Sequence, residues 1–385
     1  MTSRLTILCT GMMAAEPQHG GATWAVLQYV LGMKGLGHTV YVVEPVAASK
    51  LRPAGVAIAR SDTARDFRRL ADAYGFSDTA ALLLAGTTET AGLSYAALRR
   101  AAQRTDVLVN ISGMLTDPAL LEPIERRVYL DLDPGFNQAW HASEGIDMRF
   151  DAHTHFATVG LALGRPECRV PTCGRTWIPS FPPVVLREWP MAQGRTRPVF
   201  TTVANWRSYG SVYHDDLFLG QKVHALRPLM DLPRRTRARF ELALAIHPSE
   251  PDLAALRGHG WTLVDPRRAA GTPARYRQFI SASRAEFGIA KSGYIASRSG
   301  WFSDRSACYL AAGRPVLAQE TGFSAALPTG DGLLSFRNDV EALAGVEAIE
   351  THYPRHREAA RAIAETYFDS DRVLTRLLDR VGAAA

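Results

Sequence analysis

Between Glu286 and Phe336 the chain gathers residue types that can hold an anion. Glu286-Phe-Gly-Ile-Ala-Lys-Ser-Gly-Tyr is followed by Ser299-Gly-Trp-Phe-Ser-Asp-Arg-Ser, then by helix-like Ala307-Cys-Tyr-Leu-Ala-Ala-Gly313. Ser303, Asp304 and Ser306 are residues that start helices, and Lys291 and Arg305 stand beside them. A helix start offers free backbone N–H groups and the positive end of the helix dipole, so this spacing predicts an anion site, phosphate above all. In the first half, His19-Gly20-Gly21 lies at the mouth of a second helix, where glycine lets backbone approach a ligand closely. Asp131 and Asp133 fall at the end of the run Arg127-Val-Tyr-Leu-Asp-Leu-Asp-Pro134. With Glu16, His19, Ser112 and His141 they are the candidate general bases of that half.

These residues need a scaffold, and the apolar pattern supplies one. Leu5–Cys9 and Thr39–Glu44 read as buried strands flanking a helix from Ala22 to Leu36, a βαβ unit of the parallel-sheet kind. Further helices are predicted over Asp62–Tyr74, Ala91–Gln103 and Leu120–Arg127. Strands are predicted over Asp106–Gly113, Arg127–Pro134 and His153–Gly160, the last closing this half. The Gly-Gly pair lacks the G-x-G-x-x-G spacing, so Glu44 is not read as the ribose partner of a dinucleotide. In open parallel sheets ligands sit beyond the carboxyl ends of the strands, where all six candidate bases lie.

The proline- and aromatic-rich run Trp177–Pro190 and the polar residues after it mark the domain boundary. Residues 1–185 form the predicted first Rossmann-like domain, 186–197 the linker, 198–365 the second domain, and 366–385 a helical tail packing back on the first. In the second domain strands are expected at Pro198–Ala204, Phe240–Ile246 and Trp261–Asp265, and helices at Lys222–Met230, Pro251–Gly258 and Pro273–Arg284. In the tail, Val373, Leu374, Leu377 and Leu378 form one apolar stripe.

Composition narrows the function. The chain has 385 residues, 46% hydrophobic and 21% charged, ordinary for a soluble globular protein. No apolar run reaches the ~20 residues that span a bilayer, and the start is too short for a signal peptide, so a cytoplasmic protein is expected. Four cysteines make no disulfide framework, and Cys168 and Cys173 with His153 and His155 lack zinc-finger spacing, so no metal is expected. The net charge of +6 is mild. Its densest run, Pro233–Phe240, has no interleaved aromatics, which argues against nucleic acid. Nothing in the sequence bears on oligomeric state.

Two Rossmann-like halves facing a cleft, a central linker and a helical tail resemble the GT-B glycosyltransferases of the group 1 type. The resemblance is sharpest in Tyr309-Leu-Ala-Ala-Gly-Arg-Pro-Val-Leu317, Gln319-Glu-Thr-Gly322 and Gly332-Leu-Leu334. It implies an α/β fold whose second domain holds a nucleoside diphosphate sugar as co-substrate, with no other cofactor. On that basis Gly300–Ser306, with Lys291, Arg305 and Arg207, would meet the diphosphate. The loop beginning at Asp265 would meet the base, and Glu320, Thr321 and Gly322 the sugar. Gly20 and Gly21 would approach from the opposite domain, and His19, assisted or replaced by Asp131 or Asp133, would deprotonate a small-molecule or glycan acceptor in the cleft. One departure stands out. Many retaining members carry a spaced pair of glutamates where this chain has Gly300 and Cys308, so their ribose contact and stereochemistry do not carry over. A nucleotide-sugar epimerase of the same fold, and a non-catalytic nucleotide or glycan binder, are the competing expectations. The Ala- and Arg-rich composition suits a GC-rich bacterial source, with natural-product or surface-glycan acceptors.

Overall fold

A computed structural model describes residues 4–194 and 196–383. Arg195, in the segment read as the linker, and the outermost residues of the first domain and the tail lie outside the described residues. The first half is an eight-stranded sheet: β1 Thr6–Thr10, β2 Thr39–Val46, β3 Ala80–Leu84, β4 Thr90–Gly92, β5 Val107–Ile111, β6 Arg126–Asp131, β7 His155–Thr158 and β8 Trp177–Pro179. Its order is β4-β3-β2-β1-β5-β6-β7-β8, parallel except for the β3–β4 hairpin. The second half carries β9 Phe200–Asn205, a hairpin of β10 Val212–His214 and β11 Leu217–Leu219, then β12 Phe240–Ala245, β13 Thr262–Val264, β14 Ala285–Gly288, β15 Val316–Gln319 and β16 Leu333–Phe336. Its parallel sheet runs β13-β12-β9-β14-β15-β16. Both are doubly wound. Their order reverses between β1 and β5 and between β9 and β14, which is where such sheets open a crevice for a ligand.

Three expectations change. The helix expected over Ala91–Gln103 is a short strand and then a helix, Tyr95–Ala102, capped by Ser94. Gly92 breaks it: at φ +107° a Cβ there would lie 2.4 Å from the Ala80 carbonyl oxygen, so only glycine closes the hairpin. The helix expected from Leu120 to Arg127 ends at Leu121, and Arg126 and Arg127 already belong to β6. His153–Gly160 is not the last strand of its half, because Trp177–Pro179 pairs beside it, Phe156 opposite Trp177.

The halves share one apolar core. It runs from Ile7 and Leu27 through Trp24 and Trp189 to Ala307 and Leu310 of the helix Asp304–Ala311. Trp24 and Trp189 meet edge-on at 5.2 Å, and Trp189 meets Tyr276 at 6.1 Å. At the far end the tail helix Ser370–Arg380 buries Val373, Leu374, Leu377 and Leu378, with Leu374 and Ser370 against Gly32 of the helix Gly20–Gly35. No helix among the described residues is long and apolar enough to cross a membrane.

Candidate functional site

The site is built where the carboxyl end of β6 faces the crevice between β9 and β14. Asp131, the last residue of β6, is fully buried. Its carboxylate accepts hydrogen bonds from Asn137 Nδ2 (2.7 Å), Gln138 Nε2 (2.8 Å), Thr158 Oγ1 (2.8 Å) and the Asp133 backbone N–H (3.0 Å). Burial pushes its pKa up to about 6, against those donors. All four of these donors come from within the first half, so the Asp131 carboxylate is held in place by its own domain. It ties β6 to β7 and to the helix Phe136–Ser143, and so fixes the turn that presents Asp133.

Asp133 crosses between the halves. Its Oδ1 lies 2.7 Å from Lys291 Nζ and accepts hydrogen bonds from the Tyr209 and Tyr294 hydroxyls. Tyr209 follows β9, and Lys291 and Tyr294 follow β14, so all three rise from the reversal point of the second sheet. Lys291 is enclosed by rings, its ammonium 3.8 Å from the Tyr209 centroid and 4.8 Å from that of Phe136. Burial pulls its pKa down, and Asp133 opposes the shift.

Lys222, which the sequence reading placed merely at a helix start, completes the cluster. Its ammonium lies 5.4 Å from the Trp301 ring, which stacks on Tyr294 at 4.4 Å. It forms no ion pair among the described residues. Withdrawal from water and then Arg305 push its pKa down to about 7, while Asp133, Glu286 and Asp304 work the other way.

The helix start beneath this cluster forms as expected but is closed. Ser303 caps Asp304–Ala311, accepting from Arg305 N–H at 3.2 Å, and both Ser303 and Ser306 are buried. The space in front, between Trp301, Ser306 and Gln319, is about 10 Å³, room for about one water. Arg305 points into the sheet. Its Nε donates to Glu286 Oε1 at 2.5 Å and its Nη1 to the Val203 carbonyl at 3.0 Å, bridging the strands β9 and β14. In this closed arrangement Arg305 is a buried partner of Glu286.

The remaining expected residues are spread around this centre. Glu320, Thr321 and Gly322 line a cavity of about 390 Å³ that also takes in Arg298 and Arg337. Glu320 Oε1 accepts from Gly322 N–H at 2.6 Å, and its buried Oε2 has no partner among the described residues. Arg207 is held in a fork by Glu250, both contacts at 3.0 Å, and Asp265 caps the helix Pro266–Ala270. His19 is exposed at the start of Gly20–Gly35 and takes no part in the Asp133 cluster. Gly20 and Gly21 do reach across to the second half, but against protein. A Cβ on Gly20 would lie 2.4 Å from the Thr272 carbonyl oxygen, and one on Gly21 would lie 2.9 Å from the Tyr276 ring. His153 is spent on Asn110 and the Arg149 carbonyl, and Cys173 on the Gln138 carbonyl.

No family model matches the chain, and no curated protein matches it by sequence. Solved structures do match. An alpha-glucosyltransferase in complex with UDP-glucose and DNA containing an abasic site superposes with a TM-score of 0.62, over 99% of this chain and 100% of that one, at 12% identity. HepE from Anabaena, in complex with UDP and glucose, gives a TM-score of 0.58 over 99% and 100% at 11% identity. Sucrose-phosphate synthase from Thermosynechococcus elongatus gives 0.52 over 98% and 99% at 12% identity. These neighbours share the GT-B architecture, and the chain has that fold.

Proposed function

We propose that this GT-B chain is a glycosyltransferase that moves a sugar from a nucleoside diphosphate sugar to a hydroxyl acceptor. The observation that carries the reading is the contact of Asp133 with Lys291 at 2.7 Å, a carboxylate from one sheet edge meeting a cation from the other. The two neighbours crystallised with UDP and glucose or UDP-glucose support the donor class. Lys291 and Lys222 neutralise the diphosphate, and the Tyr209 and Tyr294 hydroxyls donate to its oxygens. Asp133 is the base. The acceptor oxygen attacks the anomeric carbon, the carbon–oxygen bond to the diphosphate breaks, and the acceptor proton passes to Asp133.

In the closed form Asp133 occupies the position that suits a donor phosphate. Donor binding therefore exchanges one anion for another on Lys291 and frees the carboxylate for the acceptor. The cavity beside Glu320–Gly322 is assigned to the sugar, and a small-molecule or glycan acceptor fits better than DNA. In the densest basic run, Arg234 pairs with Asp231 and Arg235 with Asp339, so half of its arginines are already matched by carboxylates.

The test is calorimetry with uridine, guanosine, thymidine and adenosine diphosphates, followed by sugar release from the matching donor with and without acceptors. A transferase binds one nucleotide and releases it faster when an acceptor is present. Release without any acceptor effect would favour an epimerase, and binding without turnover a plain binder. No binding of any of the four would sink the proposal.

A further inference from the structure

A separate cavity of about 140 Å³ lies where the loop after β7 and strand β8 meet the carboxyl-terminal helix. Its floor is apolar, with Leu161, Ile178, Phe181, Ala326, Val373 and Leu377. Its wall is cationic. Arg165 comes from the first half, and Arg372, Arg376 and Arg380 come from the helix Ser370–Arg380. Their four-residue spacing places the three helical arginines on one face. All four arginines are exposed, and none forms an ion pair among the described residues. Asp371 and Asp379, the acidic residues of the same helix, are not among the residues lining the cavity.

Helix electrostatics account for Arg380, which stands in the last turn where the dipole favours a cation, but not for the other two helical arginines. Like charges four residues apart oppose helix formation, and Arg372 stands in the first turn, where the dipole disfavours a cation. Many other arginines of the chain are matched, as Arg52 is by Asp66, Arg227 by Asp252 and Arg355 by Asp331. Uncompensated guanidinium groups around an apolar floor define a ligand. They bind phosphate through paired N–H donors, and the floor takes an apolar substituent. A cavity of roughly 150 Å³ holds a benzene ring, which sets the size of that substituent.

We propose that this cavity binds a phosphate monoester carried on a small apolar body, at a site distinct from the Asp133–Lys291 centre. The ester could be a soluble aryl or alkyl phosphate or the headgroup of a phosphatidate lipid. The occupant touches both halves, so it also bridges them.

The test uses the full chain and four probes: phenyl phosphate, inorganic phosphate, benzyl alcohol, and vesicles containing phosphatidate. Calorimetry should show phenyl phosphate binding at least tenfold tighter than inorganic phosphate, with benzyl alcohol not measurable. The double variant R372Q/R376Q should lose phenyl phosphate at least tenfold without lowering its melting temperature or its affinity for the nucleoside diphosphate. Arginine-dependent sedimentation with phosphatidate vesicles assigns the lipid source, and phenyl phosphate binding without sedimentation assigns the soluble one. Equal affinity for phenyl and inorganic phosphate overturns the proposal. So does phenyl phosphate binding that the double variant leaves unchanged or that the nucleoside diphosphate displaces, and so does the failure of phenyl phosphate and vesicles together.

Discussion

Replacing Asp133 with Asn should tighten donor binding while it stops sugar transfer. Asp133 Oδ1 sits 2.7 Å from Lys291 Nζ, with the two side chains 35% and 9% exposed. A hydrogen bond to a charged group is worth about 1.5–3 kcal/mol, and the solvent reaching Asp133 brings this one to about 1–2 kcal/mol. An incoming diphosphate must displace that contact and also meets the carboxylate's own charge. Asn keeps the shape and removes the charge. At about 1.4 kcal/mol per factor of ten, the nucleoside diphosphate should bind roughly 5–30-fold tighter. Loss of the general base should lower the transfer rate by about 10²–10⁴. Calorimetry and a sugar-transfer assay on one preparation read both, with His19→Ala as the contrast, which should move neither by much. Unchanged or weaker nucleotide binding in D133N, or transfer near the parental rate, would refute the exchange of anions at Lys291.

The other perturbations follow from the same contacts. Lys222→Met should raise the melting temperature while weakening nucleotide binding, because the parental ammonium is withdrawn from water with no carboxylate partner. A Lys222 pKa of about 7 in the folded chain lies below the ~10.4 of an unfolded lysine, so the unfolded chain holds more protons between those values. Stability of the parent should therefore rise with pH across that window, a slope that K222M lacks; donor affinity of the parent should fall over the same range. Arg305→Met should cost about 3–5 kcal/mol in urea unfolding, because it strands the fully buried Glu286 carboxylate, and adding Glu286→Leu should recover most of the loss. Equal stability of R305M and the parent would contradict the buried pair. Gly20→Ala drives a methyl into the Thr272 and Ala270 carbonyls, at 2.4 and 2.5 Å. It should destabilise by about 1–3 kcal/mol and loosen the halves, read as faster proteolysis.

Much of the scaffold was legible because parallel strands read as short apolar runs between glycine-bounded helices, and the second sheet carries that signal from Phe240 to Phe336. The strand Trp177–Pro179 was missed as a strand because three residues among prolines show no period. The site was legible only in part. Of the proposed site, Asp133, Lys291 and the Ser303 helix start are visible in the sequence by type and position. Lys222 does not, since a lysine opening a helix resembles any solvated lysine, and its isolation comes from Trp301, far along the chain. Arg305 reads from sequence as a cation at a helix start that would meet a diphosphate, and in the structure its guanidinium turns inward to Glu286, a partner nineteen residues away on β14. His19-Gly20-Gly21 was read as a ligand mouth, whereas the Trp24 indole next to it donates to the Pro273 carbonyl at 2.9 Å. Which loop of one half meets which loop of the other is a long-range property, and no local pattern encodes it.

The same long-range packing governs Gly300 and Cys308, the two positions at which the resemblance would place glutamates. Gly300 has φ +71°, and a Cβ there would lie 2.5 Å from the Ala162 backbone nitrogen, across the junction of the halves. Cys308 is buried against the helix Gly20–Gly35, where Gln28 Nε2 donates to its sulfur at 3.6 Å and Gln28 Oε1 accepts from Val185 N–H at 2.7 Å. Both positions are taken up by interdomain contact, which leaves no room for a glutamate side chain at either. Cys308→Glu should thus fail as a restoration. It would bury a carboxylate close to Asp304 and Glu286, whose charges already help burial raise the Cys308 thiol pKa. The cost should be about 3–5 kcal/mol in urea unfolding, that of an uncompensated buried charge, and Cys308→Ser should cost much less. C308E folding as stably as the parent would refute the packing of Cys308 between the halves.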